Sequence, residues 1–343
     1  MKALVLKQYM EFEYTDIPEP SIKPKEVLIR VKACGVCGSD VHGIDGSSGR
    51  RIPPIVMGHE ASGVIERVGS DVQGWQMGDR VTFDSTIYCG TCHFCRKGLI
   101  NLCDNRRVFG VSCEDYRQNG AFAEFVAVPE HILYRIPDDV SFELAAMVEA
   151  LSVAFHAIEQ TPISLNDTAV VVGTGMIGLL IIQSLRLSGC GKIIAVDLDE
   201  SRLDMALQMG ADVALNSSSV DVAEEVFKLT EDRGADLAFE VVGIAATLQM
   251  GIASLRKGGS ITLVGNLQPT GEFQIQSVVT RQIAMYGSCA SNGEYPACLE
   301  MIARGKINLE PLISKVAPLS EGAEWFKRLY NREQGLMKVI LKP

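Results

Sequence analysis

The sequence predicts an α/β protein in two parts, a β-rich portion followed by a doubly wound parallel sheet. Three observations predict it. Strand-like and helix-like stretches alternate from residue 169 to residue 287, the pattern of a parallel sheet covered by helices. A G-x-G-x-x-G run, Gly173 to Gly178, stands between the first of these strands and its helix. Before residue 147, short apolar runs are broken repeatedly by Gly and Pro, which suits a barrel or sandwich of short strands.

In chain order, residues 3–6 alternate weakly, and 26–32 carry the apolar residues of a strand between Pro24 and a cysteine-rich stretch. Residues 61–68 and 80–83 read as further strands, and 121–128 as one ending at Pro129. From 142 to 160 the apolar spacing changes to three and four, the helical period. The alternating part then predicts strands at 169–172, 192–196, 212–215, 236–242, 260–264 and 282–287. Helices are expected between them at 176–187, 200–208, 222–230 and 245–255. The tail reads as a helix at 296–304, an amphipathic stretch at 321–330 and a strand at 337–341. That last strand has no partner in the alternating part, so it is expected to return to the first sheet.

A chain of 343 residues suggests about two domains at roughly 150 residues each. With 47% hydrophobic and 22% charged residues it has the composition of a globular protein with real cores. The net charge of −10 and the lack of a long basic run exclude a nucleic-acid or anionic-membrane partner as an expectation. The apolar run at residues 3–6 is too short for a signal-peptide core, so a cytoplasmic location is expected. The most apolar stretch, 169–185, is interrupted by glycines and falls short of the ~20 residues a membrane span needs. Ten cysteines in such a chain should be reduced thiols or metal ligands rather than disulfides.

The run Gly173-Thr174-Gly175-Met176-Ile177-Gly178 lies where a helix N-terminus can face a pyrophosphate. Asp197 ends the next strand, 19 residues after Gly178. A carboxylate there accepts hydrogen bonds from ribose hydroxyls and repels a 2′-phosphate, which favours NAD over NADP. Arg202, five residues on, is the residue that argues the other way.

Cys89, Cys92, Cys95 and Cys103 offer four thiolates inside fifteen residues. That spacing suits a closed structural Zn2+ site, with Gly90 and Gly98 making the turns. Buried free thiols and an iron–sulfur cluster are the alternatives. His93, inside the lobe, reads as a bystander because four cysteines already fill the site. His131 and His156 have no metal spacing.

The stretch Cys34 to His42 packs two thiols, Ser39, Asp40 and an imidazole into nine residues. Read with Gly58-His59-Glu60, the four-cysteine lobe and the glycine fingerprint, in that order, it resembles the zinc-dependent medium-chain alcohol dehydrogenases over essentially the whole chain. The resemblance implies an α/β protein with a GroES-like catalytic domain and a Rossmann NAD-binding domain. The first would span 1–147 and 290–343, with the structural-zinc lobe at 89–103, and the second 148–289. A cleft between them would hold a catalytic Zn2+. Carried over by position, Cys37 and His59 ligate that zinc. Glu60 and Glu149 share the remaining role, one directly and one through water. Glutamate at 149, rather than cysteine, is similar to the polyol (sorbitol- or L-iditol-like), threonine and butanediol branch. Cys34 then drops to a neighbour without assigned chemistry.

These ligand types suit a metal that lowers the pKa of a substrate hydroxyl ahead of hydride transfer. Family members imply that Ser39 passes the proton toward His42 near the cofactor ribose, a task imidazole suits because its ordinary pKa is near neutral. The resemblance also implies that Val264, Gly265 and Asn266, and Ser288, Cys289 and Ala290, hold the nicotinamide end. Lys338 matches a basic position that reaches the pyrophosphate in some relatives; a solvated lysine is the other reading.

The chain departs from the animal sorbitol enzyme's pattern at three places. Gly43 replaces a tyrosine, Ala290-Ser291 an Arg-Tyr pair, and Ala150 a proline. A polyol or related sugar derivative is therefore the leading substrate. L-Threonine, butanediol, a sugar acid and a sugar-alcohol phosphate are the alternatives. Arg50 and Arg51 raise the last two if they face substrate, and are solvated otherwise. A non-enzymatic family member is opposed by the joint presence of Cys37, Ser39, His59 and Glu149. A homo-oligomer is expected, a tetramer in preference to a dimer.

Overall fold

A computed structural model describes all 343 residues. The chain forms two compact units, Met1–Glu149 with Asn292–Pro343, and Ala150–Ser291.

The first unit is built on a seven-stranded sheet whose central strand is Glu26–Gly35. Its residues Val27, Leu28 and Ile29 are buried on both faces, so the run is nearly continuous in apolar residues rather than alternating. Glu60–Val68 pairs with it antiparallel and sets Glu60 opposite Gly35 and Ala61 opposite Cys34. The closing strand, Lys338–Lys342, joins this sheet, pairing Ile340 with Gly35 and Leu341 with Cys34. The C-terminus is thus stitched beside the cysteine-rich stretch, and Lys338 is brought to the same place. A short helix, Gly38–Val41, follows the central strand and carries Ser39 and Asp40.

The second unit is a six-stranded parallel sheet. Its central strand, Thr168–Val172, is buried throughout, and the helix Met176–Leu187 starts four residues later. No helix of the chain is long and apolar enough to cross a membrane.

Several expected elements change. The helix predicted at 142–160 is two, Phe142–Ala146 and Val148–Glu159, with Met147 closing the first. The strand predicted at 121–128 is Phe125–Pro129, because the amides of Ala121 and Phe122 instead bond Gly58 and Met57. Eight of the twenty strands had no counterpart in the sequence reading, and the two longest of these have six residues each. Glu11–Asp16 pairs with Lys2–Gln8, and Ile313–Pro318 lies beside the closing strand. Both are largely exposed, so neither carries the buried apolar pattern that marks a strand.

Candidate functional site

In the first unit the sheet brings Cys37, His59 and Glu60 together. One donor atom from each lies within 4.8 Å of the others. Cys37 precedes the short helix, and His59 immediately precedes the strand that Glu60 begins. His59 Nδ1 faces Asp40 Oδ1 at 3.4 Å, so Nε2, the ring nitrogen turned from Asp40, is the one suited to a metal. A thiol, an imidazole and a carboxylate at this separation are a donor set that Zn2+ takes. Glu149 lies outside that cluster; Ser85 donates to its Oε1 at 3.0 Å.

Both Glu60 oxygens accept from Lys338 Nζ, at 2.8 and 2.6 Å, and Lys338 also donates to the Val36 carbonyl. Lys338 is buried. It therefore does not extend to a pyrophosphate, and the solvated reading is wrong as well. Gly35 makes the pair possible, since a Cβ there would stand 2.2 Å from Glu60 Oε2.

Arg51 also overturns its sequence reading. It is buried rather than solvated, and its guanidinium faces Asp40 rather than a substrate. Burial alone would raise the Asp40 carboxyl; the charges of His59 and Arg51 outweigh this and bring it down to about 2. Arg50 is exposed.

Ser39 donates to Cys37 Sγ at 3.3 Å and accepts from Arg51. His42 is exposed at the end of the short helix, and no hydrogen bond joins it to Ser39. A relay between them needs a bridging group, the place the sequence reading gave to the cofactor ribose. Cys34 is a fully buried free thiol, and burial pushes its pKa well up.

Cys89, Cys92, Cys95 and Cys103 converge with their sulfurs within 4.8 Å of one another, all unbridged. The Cys92 amide donates to Cys89 Sγ at 3.3 Å, and the Cys89 amide to Cys103 Sγ at 3.3 Å. Hydrogen bonds led by the Thr91 hydroxyl bring Cys89 down to about 5. Positive φ at Gly90 and Gly98 closes the loop. This donor set fits a closed Zn2+ site. His93 is exposed and outside the cluster, and the His131 ring contacts Tyr88.

In the second unit the three fingerprint glycines serve different ends. Gly173 has a φ of +99°, which side-chain-bearing residues avoid. A Cβ on Gly178 would stand 1.9 Å from the Gly173 carbonyl oxygen, so it permits helix and strand to touch. Gly175 faces open space and precedes Met176 and Ile177 at the helix start. Asp197 Oδ2 accepts from the Thr174 amide and hydroxyl, at 2.7 and 3.0 Å, and Oδ1 from the amides of Leu198 and Asp199. Arg202 lies in the helix Glu200–Gln208 that follows.

The amides of Val264 and Gly265 donate to the Glu240 carbonyl, and a Cβ on Gly265 would stand 2.1 Å from the Gly243 nitrogen, so the loop with Asn266 packs directly on its neighbour. Ser288 donates its amide to Leu263, its hydroxyl has no partner, Cys289 is exposed, and Ala290 has a φ of +54°. Sequence reading missed Asp40, Thr174, and Glu240, whose Oε1 accepts from Val242, Gly243 and Thr247. An acid ends each of the two strands that flank Thr168–Val172, Asp197 on one side and Glu240 on the other, and that repeat is the signal that could have found the latter.

Residues 23–138 match the family described as the alcohol dehydrogenase GroES-like domain, and 177–304 that described as zinc-binding dehydrogenase. The sorbitol dehydrogenase of Bacillus subtilis (strain 168) is 33% identical over 348 residues, covering 100% of this chain and 97% of that protein. The L-idonate 5-dehydrogenase of Vitis vinifera is 35% identical over 302 residues, 86% of this chain and 81% of that one. Among solved structures, galactitol-1-phosphate dehydrogenase from Escherichia coli has a TM-score of 0.93 at 27% identity and covers 100% of both chains.

Proposed function

The chain belongs to the zinc-binding alcohol dehydrogenases with a GroES-like domain, an oxidoreductase family, and on that premise we propose a reaction and a substrate. The chain oxidises a secondary alcohol of a polyol or related sugar derivative, passing hydride to NAD. The convergence of Cys37, His59 and Glu60 within 4.8 Å carries the reading. Cys37, His59 and Glu60 would hold the catalytic zinc, with Glu149 acting from outside that set. Bound there, zinc supplies Lewis acidity that lowers the pKa of the substrate hydroxyl.

The chain's own residues do the rest. Ser39, already hydrogen-bonded beside Cys37, takes the hydroxyl proton, and His42, reached across the gap where the cofactor ribose would lie, delivers it to solvent. NAD held there would supply the hydride acceptor, so that the overall change would be alcohol and NAD to ketone, NADH and a proton. Gly175 leaves space for the pyrophosphate, and Asp197, fixed by four donors, receives the ribose hydroxyls. Val264 to Asn266 and Ser288 to Ala290 border the nicotinamide end.

The names of the sorbitol and L-idonate relatives support a sugar-derived substrate. Engagement of Arg51 with Asp40 removes one of the two cations that favoured a sugar acid or phosphate. The location proposed is cytoplasmic. A homo-oligomer is proposed too, a tetramer in preference to a dimer; the exposed Ile275 and Val279, 67% and 71%, in the helix before the edge strand Ala284–Gly287 support self-association.

The test is NADH absorbance across polyols, sugar acids, polyol phosphates, L-threonine and butanediol, with NAD and NADP side by side. Turnover of polyols with NAD is expected. Turnover confined to threonine or butanediol, or a preference for NADP, overturns the corresponding part.

A further inference from the structure

We propose that Arg51 is a positioning residue for the zinc site, tying its two halves together, and that Gly43 is the gap in the chain that admits it. The proposal rests on Cys37, His59 and Glu60 being the zinc ligands.

The guanidinium lies at the middle of a continuous path. Ser39 Oγ donates to Cys37 Sγ at 3.3 Å, and Arg51 Nη2 donates to that Ser39 oxygen at 3.4 Å. The same Nη2 donates to Asp40 Oδ1 at 2.8 Å, and Arg51 Nε reaches that oxygen at 3.2 Å. Asp40 Oδ1 then stands 3.4 Å from His59 Nδ1. From thiol to imidazole, every link but the first and last passes through Arg51.

The charge argument selects the residue type. A histidine that binds a metal is neutral, so His59 in that state offers Asp40 no counter-charge. Asp40 has no exposed surface, and its Oδ2 has no hydrogen-bond partner. A carboxylate so buried needs a permanent cation. Arginine stays protonated, and its planar fork reaches two acceptors at once, which a lysine ammonium on a flexible stem does not reproduce.

Space is provided by Gly43. A Cβ there would stand 2.5 Å from Arg51 Cγ and 3.3 Å from Arg51 Cβ. Its φ is not in the left-handed region, so the glycine is needed for room rather than conformation. The tyrosine of the animal sorbitol enzyme's pattern at this position would collide with the arginine stem. The backbone around Arg51 is held from behind. Ser112 donates its amide to Arg50 and its hydroxyl to Ile52, and Arg117 also bonds the Ile52 carbonyl.

The test measures zinc release under chelator competition, together with kcat and KM, on the purified full chain. Wild type should hold two zinc equivalents. In Arg51→Met, one equivalent should be released at about 10- to 100-fold lower chelator concentration, the scale for residues that orient metal ligands. The other equivalent should be unchanged. kcat should fall more than KM rises, and Arg51→Lys should recover part of the zinc retention. Gly43→Ala should reproduce the Arg51→Met loss and add nothing to it in the double variant. If Arg51→Met does not fold, Gly43→Ala, which removes no polar group, carries the comparison. Unchanged zinc release in either variant, or independent addition of the two effects, overturns the proposal alone. Zinc content left unchanged by Cys37→Ser overturns the reading of the site, and the proposal with it.

Discussion

Lys338 Nζ lies 2.6 and 2.8 Å from the two carboxylate oxygens of Glu60, with the lysine 2% exposed and the glutamate 0%. The pair joins the closing strand of the chain to the strand that begins at Glu60. Two ions brought out of water are costly to separate, because removing one leaves the other buried and uncompensated.

Lys338→Met is therefore expected to destabilise the protein by about 3–5 kcal/mol. Adding Glu60→Gln to it should return a large part of that loss, since the orphaned charge is gone. Urea unfolding of the three proteins checks both. Equal midpoints for wild type and Lys338→Met would show that the pair is not a closed ionic contact.

The two glutamates near the metal donors should behave differently. Glu60 belongs to the cluster of donor atoms, whereas Glu149 stands outside it and accepts from Ser85. Glu60→Gln should weaken retention of the catalytic zinc by about 10-fold or more, the scale on which groups that touch or orient a metal act. Glu149→Gln should cost less in metal retention than in kcat. Metal analysis after dialysis against a graded chelator series reads the difference, and a reversed order would exchange the two roles.

Asp84 should make stability depend on pH. It is 1% exposed; its Oδ1 accepts from the Thr86 amide, and its Oδ2 has no partner. Burial raises its carboxyl to about 7, against an unfolded value of about 3.9. Between those values the folded chain holds the proton that the unfolded chain releases, so stability falls as pH rises through that window. Asp84→Asn keeps an acceptor for Thr86 and carries no charge. It should be more stable than wild type at pH 8, with the gap closing toward pH 4. Chemical unfolding at several pH values tests this, and a gap that stays constant with pH would rule out the titration.

What the sequence made legible was local. Four cysteines inside fifteen residues and glycines at 173, 175 and 178 announce their sites because ligand and turn spacing are written along the chain. The partners that shape the metal cluster were not legible, because they lie far apart in sequence. Lys338 is 278 residues from Glu60, and Arg51 is 11 residues from Asp40 across an irregular loop. An arginine between Arg50 and Ile52 reads as solvated until Gly43, on the other arm of the loop, is seen to clear its path. The strand Glu11–Asp16 escaped for a similar reason. Its pairing with Lys2–Gln8 leaves most of its side chains in solvent, so no alternation of buried and exposed residues announces it.

Asp197 should decide the cofactor. Its carboxylate is fixed before any ligand arrives, by the amide and hydroxyl of Thr174 on one oxygen and two backbone amides on the other. A carboxylate held in place accepts ribose hydroxyls without first losing freedom of its own, and meets a 2′-phosphate as a like charge. Hydrogen bonds to a charged group are worth about 1.5–3 kcal/mol, which corresponds to roughly 10- to 100-fold in binding. Asp197→Ala should therefore raise the KM for NAD by about that factor while lowering the KM for NADP, as the repulsion is removed. Arg202, on the helix that follows, is the cation available to a 2′-phosphate once the carboxylate is gone. Adding Arg202→Ala to Asp197→Ala should then cancel the gain for NADP and leave the loss for NAD unchanged. Initial rates with both cofactors across the three proteins test this, and a wild type that already prefers NADP would remove the role given to Asp197.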